Sequence, residues 1–368
     1  RVRLSSGPAA YCSTTRIVSS DMAAAIIRSV PGPEQTIADA LRRMRLLGNE
    51  TPTMTPLAGG VSSDIWRVEL ADGPICVKRA LPRLKVDAVW EVPTTRSRHE
   101  WEWLCLAAQV LPDAVPRLLG RDDDTGCFAM AYLDPTRYRV WKQDLAAERV
   151  DPSTAAAVGD HLGRLHLATA GHDDHRRRFA TDEIFAAIRL DPYLLTTAAR
   201  HPGVSNRLHA LADRTARTCL CVVHGDVSPK NVLVGPDGPV FLDAECAWYG
   251  DPAFDLAFCL NHVLLKCVWR PQATDALLDA FDRLAAAYIG HIGWEPTADH
   301  LTRTATLLPA LLLARVDGKS PVEYLDPAQQ AFVRDFALRA LARRSDSLSD
   351  VRGEWREAVR DTPWRGAG

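Results

Sequence analysis

Asp226, Asn231, Asp243 and Glu245 fall within one short segment, VVHGDVSPKNVLVGPDGPVFLDAE at 222–245. An apolar run delivers His224-Gly225-Asp226 into a loop, Asn231 follows five residues later, and a turn at Pro236-Asp237-Gly238 leads back to Asp243 and Glu245. All four side chains offer oxygen. That suits Mg²⁺, a hard cation held by one or two carboxylates together with phosphate oxygens and water. Asp243 and Glu245 are two apart, so an extended backbone turns them to one side. Asn231 adds an amide oxygen without adding charge. Asp226 is left to orient or deprotonate a hydroxyl. Moving a phosphoryl group needs this kind of help, which is positioning and charge neutralisation rather than covalent assistance. Any one Asp or Asn alone reads as a turn cap. Together, with strand-like runs on both sides, they read as a site, and His224 reads as a stabiliser of its loop.

Phosphates also need a cation, and lysine is scarce: only six of the 44 lysines and arginines are lysine. One of them, Lys78, sits in the apolar run Ile75-Cys76-Val77-Lys78. That run is the second strand of a hairpin predicted over 64–70 and 74–80, with its turn at Asp72-Gly73. Ahead of it, the segment 57–64 places Gly59, Gly60 and Ser62 where backbone N–H groups can approach phosphates. The segment is neither G-x-G-x-x-G nor a Walker A. A helix predicted over 97–111 offers Glu100 and Glu102 as the carboxylate that steadies Lys78. Glu100 is preferred, because it stands four residues before the core residue Leu104 and so shares its side. Met130–Leu133 would supply backbone groups for a nucleotide base, with Met130 and Tyr132 beside it.

These elements describe an α+β chain of two lobes. Residues 1–32 read as an extension; the first twenty carry three arginines and no acid. Residues 33–134 form a small β-rich lobe that opens with a helix at 33–47. Residues 135–345 form a larger, mainly helical lobe. Its helices are predicted at 153–170, 183–200, 253–268, 273–290, 302–314 and 328–344, and its short strands at 220–223, 231–234 and 239–242. The tail, 346–368, shows no strong pattern and reads as either a surface helix or a disordered segment. The cleft between the lobes is the expected ligand site. A net charge of −2 on 368 residues argues against nucleic acid as a partner. No run of 18 apolar residues occurs, which excludes a membrane span. The nine cysteines lack any C-x-x-C and several lie in apolar runs. They read as buried small hydrophobes in a reducing cytoplasm. The oligomeric state is left open, a homodimer included.

His224-Gly225-Asp226 with Asn231 and Asp243, followed by Gly250-Asp251-Pro252-Ala253-Phe254-Asp255-Leu256-Ala257, resembles the aminoglycoside phosphotransferase/choline kinase family of small-molecule kinases. The resemblance covers roughly 55–330, and Leu162-Gly163-Arg164-Leu165-His166 looks like the family's helix ahead of the loop. It implies a bilobal protein-kinase-like fold, with ATP and Mg²⁺ as cofactors. It implies Asp226 as the catalytic carboxylate and Lys78, steadied by Glu100, at the phosphates. It further implies Asn231, Asp243 and Glu245 at the metal and Asp255 as a brace for the loop. Asp243 is followed by Ala244-Glu245, and Gly250 comes only seven residues after Asp243. That leaves no room for the activation loop on which a protein kinase docks a peptide, so a small hydroxyl compound is the expected substrate.

Within the family the 5-methylthioribose kinases look closest. The likeness lies in Asp243-Ala244-Glu245, in 77–82 with Trp90, and in Arg189-Leu190-Asp191-Pro192-Tyr193. Their loop differs after His-Gly-Asp from the Val227-Ser228-Pro229-Lys230 present here, and their glycine loop differs too, so a sister branch with another substrate stays open. An aminoglycoside is a polycation and calls for an acidic pocket. Residues 251–368 instead carry 16 acidic and 14 basic side chains, and Arg339, Arg343 and Arg344 crowd one helix. A neutral sugar-like alcohol such as 5-methylthioribose is the expected acceptor, with an aminoglycoside the alternative. A pseudokinase that only binds nucleotide is the competing reading from another class; the joint presence of Lys78, Asp226, Asn231, Asp243 and Glu245 speaks against it. Candidate acceptor contacts are Trp248, Asn261, His262, and Arg315 and Lys319 in a turn at 315–319.

Overall fold

The computed structural model describes residues 32–57, 63–81, 94–343 and 347–362. Helix α1 (Pro33–Arg43) turns Ile37, Ala38, Ala40 and Leu41 inward. It stops short of the predicted residue 47, because Arg45 takes φ 61° and the N–H of Leu46 closes on the carbonyl of Leu41 at 2.9 Å. That is a Schellman-type end. Five antiparallel strands follow: β1 (Met54–Pro56), β2 (Ser63–Leu70), β3 (Gly73–Ala80), β4 (Leu118–Asp122) and β5 (Cys127–Ala131), in the order β1-β2-β3-β5-β4. In the β2–β3 hairpin Leu70 pairs with Gly73, so the turn residues are Ala71 and Asp72, one position earlier than expected.

Strand β3 is buried on both faces. Ile75 and Val77 pack toward α1 with Val68 and Ala129. Cys76 packs toward α2 (Arg96–Val110) with Trp103 and Leu104. Side chains two apart on a strand share a face, so the Cys76 face is also that of Lys78, and it is directed at α2.

The larger lobe begins with β6 (Arg139–Val140), α3 (Trp141–Ala146), α4 (Pro152–Thr169), α5 (Asp173–Arg178) and α6 (Asp182–Phe185). The segment expected as one helix over 183–200 is interrupted. Ala186–Leu195 winds in wider π-helical turns around Pro192, before α7 (Thr196–Arg200) and α8 (Ser205–Arg217). Pro192 has no N–H to give to an α-helical ladder, and wide turns are a common way to absorb such a defect. Strands β7 (Cys221–Val223), β8 (Val232–Gly235), β9 (Gly238–Phe241) and β10 (Trp248–Gly250) form two small ribbons, β7 with β10 and β6-β8-β9. The remainder is helical: α9 (Pro252–Trp269), α10 (Thr274–Ile289), α11 (Thr297–Asp317), α12 (Pro327–Arg343) and α13 (Leu348–Arg360).

Helix α9 is buried on nearly every side and forms the axis of this lobe. It starts at Asp251, whose carboxylate accepts the N–H of Ala253 at 3.0 Å with Pro252 next in line, a strong helix start. Helices α4 and α10 approach closely at Gly159, where a Cβ would stand 2.2 Å from the carbonyl oxygen of Leu284. In the tail, α13 buries Val351, Trp355 and Val359. Trp355 meets Phe336 edge-on at 4.8 Å. The architecture is α+β and bilobal. The lobes are joined where Trp103 of α2 lies edge-on to His224 at 4.8 Å. Among the described residues eight cysteines form no disulfide with one another, and six of them are buried. Among the described residues no helix is long and apolar enough to cross a membrane.

Candidate active site

Strand β7 ends at Val223 and releases the chain into His224-Gly225-Asp226. Asp255, in the first turn of α9, accepts the N–H of His224 at 2.7 Å and that of Gly225 at 2.8 Å. Gly225 takes φ 77°, and a Cβ there would stand 2.6 Å from the carbonyl oxygen of Cys246. Glycine meets both demands at once. The imidazole of His224 accepts the N–H of Asp226 through Nδ1 at 3.1 Å, so Nε2 carries the proton it donates to the carbonyl of Leu242, also at 3.1 Å. Burial pushes its pKa down, which suits a neutral ring. His224 thus ties the loop to the chain leaving β9, and Asp255 holds the loop from below.

Asp226 is buried among donors. Arg189 Nη2 lies at 3.0 Å, Lys230 Nζ at 3.3 Å and Asn231 Nδ2 at 2.8 Å. Burial alone would raise the pKa of this carboxyl; the Arg189 guanidinium and then Lys230 outweigh it and hold it below its ordinary value. Arg189, which the sequence reading gave no site role, comes from the π-helical segment and also donates to the carbonyl of Gly225. The Asn231 amide nitrogen faces Asp226, which leaves the amide oxygen for another partner.

Across the cleft, Lys78 Nζ lies 2.7 Å from Glu100 Oε1 and also forms an ion pair with Asp243. Burial would lower the lysine's pKa, but the charges of Asp243, Glu100 and Glu245 hold it above its ordinary value. Burial pushes Glu100 up, to about 7, with Lys78 pulling the other way. Lys78 and then Lys230 keep Asp243 well below the usual carboxylate range against its burial. Asp243 sits at φ 65°, a region that Asp enters more readily than most residues. Glu102 points elsewhere, to Arg98 at 2.9 Å and Arg178 at 3.3 Å. Glu245 is held at 2.9 Å by Arg96, a fully buried guanidinium that also donates to the carbonyl of Leu81 at 2.6 Å. Arg96, too, had no role in the sequence reading.

The donor set matches Mg²⁺ chemistry, since Asp243, Asn231 and Glu245 present only oxygen toward a ligand. Among the described residues no three His, Cys, Asp or Glu side chains gather into a cage. Mg²⁺ that shares nucleotide phosphates does not require one. On the nucleotide side, Met130 is buried in β5 opposite Cys76, and Tyr132 lies just beyond the strand with the Arg67 guanidinium 4.7 Å over its ring. Gly59, Gly60 and Ser62 lie outside the described residues.

The five candidate acceptor contacts do not converge. His262 and Arg315 line a recess of about 40 Å³ beside the 226–230 loop, with Ser228 and Lys230 on the same wall. Arg315 is in the last turn of α11 rather than in a turn. Trp248 faces the core, stacked on Phe185 at 4.5 Å with its indole N–H on Asp182 at 2.9 Å. Asn261 is fully buried in α9 and donates to the carbonyl of Phe258 at 2.9 Å. Lys319 lies past the end of α11, its N–H on the carbonyl of Pro192 at 2.8 Å, outside the lining of the recess.

A β-rich lobe carrying a lysine–glutamate pair, set over a helical lobe, is the fold of protein-kinase-like phosphotransferases. The chain belongs to the phosphotransferase enzyme family, whose sequence model matches residues 53–300. It is 24% identical over 246 residues to methylthioribose kinase 1 of Oryza sativa subsp. japonica, covering 58% of this chain and 56% of that one. It is likewise 24% identical over 235 residues to the probable ketoamine kinase YniA of Escherichia coli K12, covering 53% of this chain and 76% of that one. It therefore spans little more than half the length of the rice enzyme. Among solved structures, the amicoumacin kinase hAmiN in complex with AMP-PNP, Ca²⁺ and Ami superposes with a TM-score of 0.53. The match has 15% identity and covers 86% of this chain and 96% of that one.

Proposed function

We propose that this chain is an ATP- and Mg²⁺-dependent phosphotransferase that moves the γ-phosphoryl group to a hydroxyl of a small sugar-like alcohol. The observation that carries the proposal is the Lys78 ammonium, shared between Glu100 of the small lobe and Asp243 of the large one. It marks the line along which nucleotide phosphates would lie. Asp243, Asn231 and Glu245 would hold Mg²⁺, which supplies charge neutralisation at the phosphates when bound. Lys78 binds the phosphates as a fixed positive charge, and Glu100 keeps it aimed. Arg96 fixes Glu245.

Asp226 meets the acceptor. With its pKa depressed it is ionised at neutral pH, so it accepts a hydrogen bond from the hydroxyl and orients it. As a weak base it takes the proton late, in keeping with a loose transition state that asks more for alignment than for early deprotonation. Arg189 and Lys230 balance its charge. The family membership supports the reaction class. The methylthioribose kinases among the relatives support a sugar-like acceptor, and the cations lining the recess disfavour an aminoglycoside. The test is transfer of phosphate from Mg-ATP to a panel of sugars, sugar acids and sugar phosphates that includes 5-methylthioribose. Acceptor-dependent ADP release supports the proposal; its absence across the panel opposes it.

A further inference from the structure

Three of the chain's six lysines, Lys142, Lys230 and Lys266, meet at the recess beside Asp226. Arg315 and His262 join them, and the one carboxylate on its lining is Glu323. Glu323 is exposed and pairs with Lys142, while Lys230 pairs with Asp226. Lys266 and Arg315 have no carboxylate partner at salt-bridge distance among the described residues. Lys266 stands on α9 and is only 1% exposed. Its ammonium rests on aromatic faces, 3.4 Å from the Tyr324 ring centre and 4.5 Å from that of Trp269.

Three polar atoms of the lining are buried without a hydrogen-bond partner: Ser228 Oγ, Arg315 Nε and the Tyr324 hydroxyl. Buried polar atoms are rarely left unpaired, and buried charge is costly unless something answers it. Here several donors converge, and the carboxylates nearby, Glu323 and Asp226, pair with Lys142 and Lys230 rather than with Lys266 or Arg315. Burial, and then the nearby Lys142, push the Lys266 ammonium down to about 6; a negative ligand would reverse that.

We infer that this recess receives an anionic group of the acceptor, a carboxylate or a phosphate, so that the sugar-like substrate is a sugar acid or sugar phosphate. The inference rests on the placement of Asp226 at the acceptor, proposed above. About 40 Å³ is room for on the order of three water-sized groups, which suits one small charged head and excludes a second ring. An anionic acceptor departs from the neutral one expected from the sequence. A count over 251–368 leaves out Lys142 and Lys230, and averages Lys266 and Arg315 with acidic side chains that lie elsewhere.

The experiment compares D-ribose, D-ribonate, D-ribose 5-phosphate and 5-methylthioribose, with the matching glucose series, as phosphoryl acceptors from Mg-ATP. Binding of each is followed calorimetrically with AMP-PNP and Mg²⁺ present. One anionic class, carboxylate or phosphate, is expected to exceed its neutral parent at least tenfold in kcat/KM. Lys266→Met and Arg315→Gln should raise KM for that anion on the order of 10- to 100-fold, the range of a charged hydrogen bond, with KM for ATP within about twofold. Ser228→Ala removes a donor without removing charge, should raise the same KM by a smaller factor, and serves if Lys266→Met does not fold. Equal or better use of neutral sugars, with KM untouched by these substitutions, overturns the inference and leaves the phosphotransferase reading standing. Failure of every anion to bind also overturns it. Anion binding that Lys266→Met abolishes, with no phosphate transfer to any compound, supports the recess and overturns the reaction.

Discussion

Arg189→Met isolates the contact that most directly controls Asp226. The guanidinium is buried, lies 3.0 Å from the carboxylate and also donates to the carbonyls of Gly225 and Ile188. Methionine keeps most of the stem volume and removes the charge. Asp226 would retain Asn231 and Lys230, but Lys230 is half exposed and only partly compensates. Breaking a buried pair from one side costs about 3–5 kcal/mol, because the surviving charge stays buried. For a lobe of about 200 residues, each kcal/mol moves Tm by roughly 2–4 °C, so the variant should melt roughly 6–20 °C lower. Asp226→Asn strands the guanidinium instead and should cost a similar amount. The double variant Arg189→Met/Asp226→Asn leaves neither charge, and should recover at least about 2 kcal/mol of the summed losses. Urea melts of the four proteins, followed by circular dichroism, give the coupling. Additivity within about 0.5 kcal/mol would refute the claim that Arg189 holds Asp226.

Lys78→Ala should weaken Mg-ATP binding at least about tenfold and lower Tm, since it leaves the buried Glu100 and the partly buried Asp243 without their shared cation. Adding Glu100→Gln should restore part of the Tm but none of the ATP affinity, which calorimetry separates. Arg96→Met should lower both Tm and the affinity for Mg-ATP, because it releases Glu245 from its anchor; unchanged metal dependence would remove Glu245 from the site. Glu295 carries a pH signature. Burial raises its pKa, but hydrogen bonds from His300 and Arg303 outweigh this and set it at about 2, below its ordinary 4.5. A depressed folded-state pKa gives stability that is present above 4.5 and lost as pH falls through about 2. Glu295→Gln should therefore remove on the order of 3 kcal/mol of acid-dependent stability, seen as a flatter curve of Tm against pH in that window.

The pieces that were legible in the sequence are local. The hairpin of Lys78, the 224–231 loop and the turn before Asp243 each declare themselves within a few residues through alternation, Gly and Asp. The choice of Glu100 over Glu102 followed from helical spacing, and the structure puts Glu100 on Lys78. Other features were illegible because their cause is distant. Arg96 meets a carboxylate 149 positions away, and in a chain where arginine outnumbers lysine so heavily nothing sets it apart. Arg189 acts through a wide-turn segment whose period departs from 3.6. Trp248 and Asn261 carried polar tips that suggested ligand contacts, yet both lie inside the core, where Trp248 donates to Asp182 and Asn261 to the carbonyl of Phe258. Helix α13 is only one of two alternatives on the sequence alone, because its buried Val351, Trp355 and Val359 stand among charged neighbours. The charge of the recess was invisible because Lys142, Lys230, Lys266 and Arg315 meet only in the fold.

Phosphoryl transfer with Asp226 at the acceptor is tested most directly by following the γ-phosphate of labelled Mg-ATP. Wild type and Asp226→Asn would be compared on the acceptor that turns over best, with Mg-ATP affinity measured in parallel. The expected result is one phosphorylated acceptor per ADP, a loss of about 10²–10⁴ in kcat for Asp226→Asn, and Mg-ATP affinity within a few-fold of wild type. Turnover by Asp226→Asn equal to wild type, or label released with no acceptor phosphorylated, would contradict it.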